Sequence, residues 1–146
     1  MSVQKDNQID SGKTGWEKAL VQQALDAREK AYAPYSGFKV GAALLCGDGR
    51  VYTGCNIENS AYTPSNCAER TAFFKAVSEG IRDFQAIAVV GGREKAEEEC
   101  PPCGVCRQVM AEFCSGDFMI LLGREGKDLQ WRAFTLDQLL PLSFSL

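Results

Sequence analysis

The sequence predicts an α/β fold: a three-layer α-β-α sandwich with a mixed five-stranded sheet flanked by helices. Three observations carry that prediction. Segments with helical and strand patterning alternate in the order helix, two strands, helix, strand, helix, two strands, helix. Two of the strand segments, FQAIAVVGG and FMILLG, are almost wholly apolar, as expected of strands covered on both faces. The first two strands meet at Gly47-Asp48-Gly49, a turn signal for an antiparallel hairpin, so the sheet is mixed rather than parallel throughout.

Each element has its own signal. Residues 1–14 are polar and read as a flexible tail, leaving residues 15–146 as a single domain. TGWE, residues 14–17, fits a capping box with Thr14 as N-cap and Glu17 three residues on. Trp16, Leu20, Ala24, Ala27 and Ala31 then recur at helical spacing, which predicts a helix over residues 15–33 stopped by Pro34. FKVGAALLCGDGRVYTGCNI is the hairpin, and ENSAYTPSN is loop. CAERTAFFKAVSEG is helical, with Phe73, Phe74, Ala76 and Val77 on or near one face and Gly80 ending it. FQAIAVVGG is the third strand, REKAEEECPP a charged loop, and CGVCRQVMAEFC the third helix. FMILLG and DLQWRAF pair across the short REGK turn, and TLDQLLP makes a last short helix before the C-terminal tail.

Composition narrows the function. Of 146 residues, 45% are hydrophobic and 24% charged, and the formal charge is −3 with no basic run. That argues against an electrostatic grip on a polynucleotide. No apolar stretch approaches the ~20 residues of a membrane span, and the first residues lack the apolar segment of a signal peptide. The expectation is a cytoplasmic protein, where seven cysteines point to metal or catalysis rather than disulfides. Seven is also odd, so they cannot all pair within one chain.

Four of those cysteines lie in CPPCGVCRQVMAEFC, residues 100–114, in a chain with no histidine. Two motifs stand out: Cys67-Ala68-Glu69, and Pro102-Cys103-x-x-Cys106. Each begins a predicted helix, where free N–H groups and the positive end of the dipole favour thiolate, the metal-binding form. Cys103 and Cys106 share one side of a first turn, and Cys67 can supply a third sulfur. Three thiolates and an open position describe a catalytic zinc site rather than a closed structural one. Glu69 stands two residues from a ligand, placed to move protons at a metal-activated water and so to do the work an imidazole might otherwise do. The pair of motifs, separated by one strand, is a zinc-deaminase signature with Cys in the first position. Three thiolates leave zinc with net charge −1, and Arg70, three residues after Cys67, is placed to offset part of it. Arg107, beside Cys106, reads as a solvated surface residue.

Alternatives stay open at this point. Cys100 could close a four-thiolate structural site, although the two prolines after it force an extended path. A redox CxxC fits one motif but gives Cys67 and Glu69 no role. A non-enzymatic zinc module, or a deaminase of polynucleotides or of an aminoacylated nucleoside antibiotic, are further readings. Cys46, Cys55 and Cys114 sit in apolar contexts and need no function.

From AYAPYSGFKVGAALL (residues 31–45) through GCNIENSAYTPSNCAERTA and PPCGVCRQVMAEF to LLPLSF (residues 139–144), the chain resembles the small homotetrameric cytidine deaminases that act on free nucleosides. The resemblance implies Cys67, Cys103 and Cys106 as ligands of one Zn2+ per chain, and Glu69 as the proton shuttle. It implies Asn56 and Glu58 as the pair that holds the ribose 3′-hydroxyl, and the Ala68 N–H as donor to the cytosine carbonyl. Phe38 would pack on the pyrimidine, as would Phe144 from a neighbouring subunit. Tyr62 would reach a neighbour's site, and Arg70 would bond the thiolates. The implied function is hydrolytic deamination of cytidine and deoxycytidine in pyrimidine salvage, by a homotetramer with shared active sites. No nucleic acid or membrane partner is expected.

Overall fold

The computed structural model describes residues 15–146. Helix α1 (Trp16–Arg28) leads into β1 (Lys39–Cys46) and β2 (Val51–Cys55), then α2 (Ala68–Ser78), β3 (Phe84–Gly92), α3 (Gly104–Phe113), β4 (Met119–Arg124), β5 (Gln130–Thr135) and the short α4 (Leu136–Leu139). The strands form one five-stranded sheet in the order β2-β1-β3-β4-β5. Only β3 and β4 run parallel, and they are joined by way of α3; the other three pairs are antiparallel. The sheet is mixed for a simple reason: a two-residue-period hairpin needs a tight turn, whereas a parallel pair needs a crossover long enough to hold a helix.

Strand alternation makes the three layers. On β1, Ala42, Leu44 and Cys46 point to one face and join Ala72 and Phe73 of α2 and Met110 of α3 in a single core. Ala43 and Leu45 point to the other face and meet Leu20, Val21 and Ala24 of α1. Two glycines let helices lie directly on strands. A Cβ on Gly41 would stand 2.0 Å from the Ala24 carbonyl of α1, and one on Gly54 would stand 2.4 Å from the Ala68 carbonyl of α2.

Some boundaries differ from the sequence reading. The cap role expected of Thr14 falls outside the described residues, as does the tail over residues 1–14. The N-cap of α1 is Gly15, at φ 97° and without a side-chain cap bond. The helix also stops at Arg28, not at residue 33. Tyr32 leaves helical geometry to pair with Ile57, its N–H donating to the Asn56 carbonyl and its carbonyl accepting from Glu58 N–H. A β-type bridge thus takes the backbone groups a longer helix would use. On α2, Phe73 is fully buried but Phe74 turns outward and is 46% exposed. Helical rotation of about 100° per residue separates adjacent side chains that the apolar pattern had grouped. Among the described residues no helix is long and apolar enough to cross a membrane.

Candidate active site

The site begins with two helix starts. Cys67 is the N-cap of α2 and Cys103 the N-cap of α3, both with extended backbone, and neither side chain is spent on capping. Their carbonyls begin the helices by accepting from Thr71 N–H and Arg107 N–H, both at 3.0 Å. The sulfurs are therefore free to face inward. Cys106, one turn into α3, is buried beside them.

The three sulfurs converge within 4.8 Å of one another. Cys67 Sγ lies 3.8 Å from Cys103 Sγ, and Cys103 Sγ 3.5 Å from Cys106 Sγ. Zinc bound to tetrahedrally disposed thiolates at ~2.3 Å sets neighbouring sulfurs ~3.8 Å apart. The sulfurs thus stand where one zinc ion would hold them. Cys100 is not in this cluster. Its Sγ packs against Gly91, and burial pushes its thiol up to about 11. Cys100 lines the same cavity as Cys67 and Cys103, but the mutually close sulfurs are those of Cys67, Cys103 and Cys106 alone among the described residues.

Charge is arranged around the sulfurs. The Cys106 thiol donates to Cys67 and, against the opposing effect of burial, together with Arg70 holds the Cys67 thiol down at about 5. Cys106 is pushed up, by that same bond to Cys67 and by burial. Arg70 donates through Nη2 to Cys67 Sγ at 3.1 Å, while its Nε is buried without a partner. Glu69 is 4% exposed. Burial pushes its carboxyl up to about 7, and the Cys67 thiolate adds to the shift. A carboxyl with that poise can both accept and return a proton near neutral pH.

Cys67, Ala68, Glu69, Arg70 and Cys103 line a cavity of about 290 Å³, with Cys106 buried behind them and Cys100 also on its wall. Asn56 and Glu58 line the same cavity. Both are already engaged with the chain. Asn56 donates to the Phe38 carbonyl at 2.7 Å and accepts from Val40 N–H at 2.8 Å. Glu58 accepts from Tyr35 N–H at 3.0 Å and Ser36 N–H at 3.1 Å, and from the Ser36 hydroxyl. The Ser36 hydroxyl and amide hold the Glu58 carboxyl below its usual range.

Three of the expected residues stand apart. Phe38 is half-buried on an adjacent groove beside Gly91 and Cys100. Tyr62 is 80% exposed at φ 63°, and Phe144 is 69% exposed on the C-terminal tail. Three contributors escaped the sequence reading. Ser36 bridges Glu58 and Phe38 N–H. Thr71 Oγ1 accepts from Asn66 and lies 3.1 Å from the carbonyls of both Cys55 and Cys67. Arg107 is half-buried rather than a free surface residue: it donates to the nearby Pro102 carbonyl and to the distant Leu139 carbonyl. Its place beside a ligand was visible in the sequence, but its acceptors are main-chain carbonyls, which carry no residue signature.

Three cysteine sulfurs at two helix starts, beside a buried carboxyl whose pKa is raised to about 7, form a catalytic-metal arrangement on a mixed α/β sheet. Residues 14–122 match the family model of the cytidine and deoxycytidylate deaminase zinc-binding region, and the chain belongs to that family. It is 56% identical to a cytidine deaminase of Sporosarcina psychrophila over 128 residues, covering 86% of this chain and 89% of the relative. It is 54% identical to a cytidine deaminase of Halalkalibacterium halodurans, covering 86% and 92%. The crystal structure of a cytidine deaminase from Burkholderia pseudomallei superimposes with TM-score 0.78 at 49% identity, covering 87% of this chain and 98% of the other.

Proposed function

We propose that the protein is a zinc-dependent deaminase that hydrolyses cytidine and deoxycytidine to uridine and deoxyuridine with release of ammonia. The observation that carries this reading is the convergence of Cys67, Cys103 and Cys106 beside buried Glu69 at a cavity also lined by Asn56 and Glu58. Cys67, Cys103 and Cys106 would hold one zinc ion per chain, and that ion would supply Lewis acidity that brings a water toward ionisation at neutral pH.

The chain's own groups do the rest. Glu69 takes a proton from that water, passes it to ring N3 and so makes C4 electrophilic. As the water oxygen bonds to C4, Glu69 takes that oxygen's remaining proton and gives it to the amino group, whose bond to C4 then breaks. The ring gains a water oxygen at C4 and loses its nitrogen as ammonia, so atoms and protons balance. Ala68 is the first residue of α2, where the N–H has no helical acceptor and is free for the base carbonyl. Asn56 and Glu58 keep spare acceptor and donor capacity for a sugar hydroxyl while they brace the segment that carries Phe38. Arg70 withdraws charge from Cys67.

The assembly is a homotetramer with shared sites. Tyr62, Leu142, Phe144 and Leu146 present large apolar side chains to solvent, and their burial on neighbouring copies removes that cost. In this reading Tyr62 reaches a neighbour's site, and Phe144 packs on a neighbour's pyrimidine while Phe38 packs from within the chain. All seven cysteines are free, which suits a reducing cytoplasm and a role in pyrimidine salvage. The test is direct. Zinc-loaded protein is incubated with cytidine, deoxycytidine and a cytidine-containing oligonucleotide while ammonia release is followed. Release from the two nucleosides alone supports the reading; none from cytidine ends it.

A further inference from the structure

We propose that Arg107 is a positioning residue that ties the metal-ligand end of α3 to the C-terminal segment, so that the zinc site and the tail bearing Phe144 are ordered together. The inference rests on the reading of Cys103 and Cys106 as ligands and of Phe144 as part of the site.

Arg107 follows ligand Cys106 in the chain, and its own N–H closes the first turn of α3 onto the Cys103 carbonyl. Its guanidinium then makes two further bonds in two directions. Nε donates to the Pro102 carbonyl at 2.7 Å, and Nη1 donates to the Leu139 carbonyl at 2.6 Å. Pro102 is buried and immediately precedes Cys103. Leu139 is the last residue of α4, where carbonyls run out of helical partners. One rigid fork therefore holds the entry to a ligand and the exit of the final helix, 32 residues from Arg107 itself. The next residue extends the link: Gln108 Nε2 donates to the Phe144 carbonyl at 3.4 Å. Phe144 lies five positions beyond Leu139, so freedom at Leu139 is passed toward the aromatic ring. A planar guanidinium suits this task because it offers several N–H groups in fixed directions, whereas a lysine ammonium is a point donor.

The test compares full-length zinc-loaded wild type with Arg107→Ala, Arg107→Lys and Gln108→Ala. A carboxypeptidase trims the tail, and mass spectrometry gives the rate at which residues beyond Leu140 are lost. Zinc release to a chromophoric chelator is timed in parallel. Such trimming follows the population of the opened tail. In Arg107→Ala both rates should rise about tenfold, the factor carried by roughly 1.4 kcal/mol, a typical charged hydrogen bond. Arg107→Lys should fall between Ala and wild type in both. Gln108→Ala should speed trimming by a smaller factor and leave zinc release near wild type. Stripping zinc from wild type should speed trimming, and stripping it from Arg107→Ala should add little. A purely structural role would not produce that last difference.

Unchanged trimming in Arg107→Ala, or trimming in wild type that ignores zinc, would overturn the proposal while leaving the deaminase reading intact. If Arg107→Ala does not fold, Arg107→Lys decides, and rates equal to wild type in both assays overturn it. A wild type that takes up no zinc would remove the ligand reading and the proposal with it.

Discussion

Glu69 shows how far one residue's surroundings determine its chemistry. Glu69→Gln keeps the shape and loses the proton, so turnover should fall by ~10²–10⁴-fold with zinc content unchanged. Near-normal turnover in the zinc-loaded variant would remove Glu69 from the mechanism. The raised pKa also makes a stability statement that can be checked on zinc-stripped protein. Below the ordinary value of 4.5 the carboxyl is protonated whether the chain is folded or not. Between 4.5 and about 7 the unfolded chain gives up that proton while the buried carboxyl keeps it, so stability falls as pH rises through this window. Glu69→Gln has no such loss. By denaturant titration at pH 8 it should be the more stable by about 3 kcal/mol, the difference closing toward pH 4.5. A gap that ignores pH would contradict the burial argument. Glu69 and the three thiols were legible in the sequence because their spacing alone brings them to helix starts. Ser36, Thr71 and Arg107 were not, because each acts on partners that only tertiary folding brings near.

At the scale of elements, α2 and α3 matter for where they begin. Gly54 keeps the first turn of α2 in contact with β2, and Gly54→Ala would drive a methyl into the Ala68 carbonyl and the Ala72 amide. Both obstacles are backbone, so relief must come from moving the helix. We expect destabilisation of ~1–3 kcal/mol and a zinc loss rate raised with it, because Cys67 moves with the helix. An unchanged melting temperature together with unchanged zinc retention would show that α2 has slack. The order and nature of the nine elements among the described residues were readable from periodicity and turn residues. What periodicity could not show was the end of α1, since Tyr32 departs to pair with Ile57, a residue 25 positions away. Nor could it separate Phe73 from Phe74, since both are equally apolar and only the rotation of the helix decides which is buried.

For the whole molecule, the exposed tail is the feature through which the proposed assembly can be tested. Phe144→Ala should weaken cytidine binding by ~1–3 kcal/mol. Chains carrying Glu69→Ala and chains carrying Phe144→Ala can be unfolded together and reassembled. Hybrid sites that combine Glu69 of one chain with Phe144 of another should raise activity per Glu69-bearing chain above that of the Phe144→Ala assembly. Hybrids visible by native mass spectrometry with no such rise would place Phe144 within its own chain's site, or in none. The three-layer plan was legible because each strand's alternation names two faces. The relation of the tail to the site was not, because the contacts that join them, Arg107 to the Leu139 carbonyl and Gln108 to the Phe144 carbonyl, end on main-chain atoms that carry no residue signature.

Cys67 and Cys103 are 36 residues apart, with α2 and β3 between them. In topological terms, a metal that joins them is a cross-link closing a large loop. Closing a loop of that length in a disordered chain costs about 4 kcal/mol of conformational entropy, if it behaves as a covalent bridge does. The sheet meets that cost in advance by fixing both helix starts at one end. Zinc affinity is therefore a gauge of how well β3 is held in place. Substitutions in its buried interior, such as Ile87 or Val89, which share one core with Cys106, should register as faster metal release although neither is a ligand.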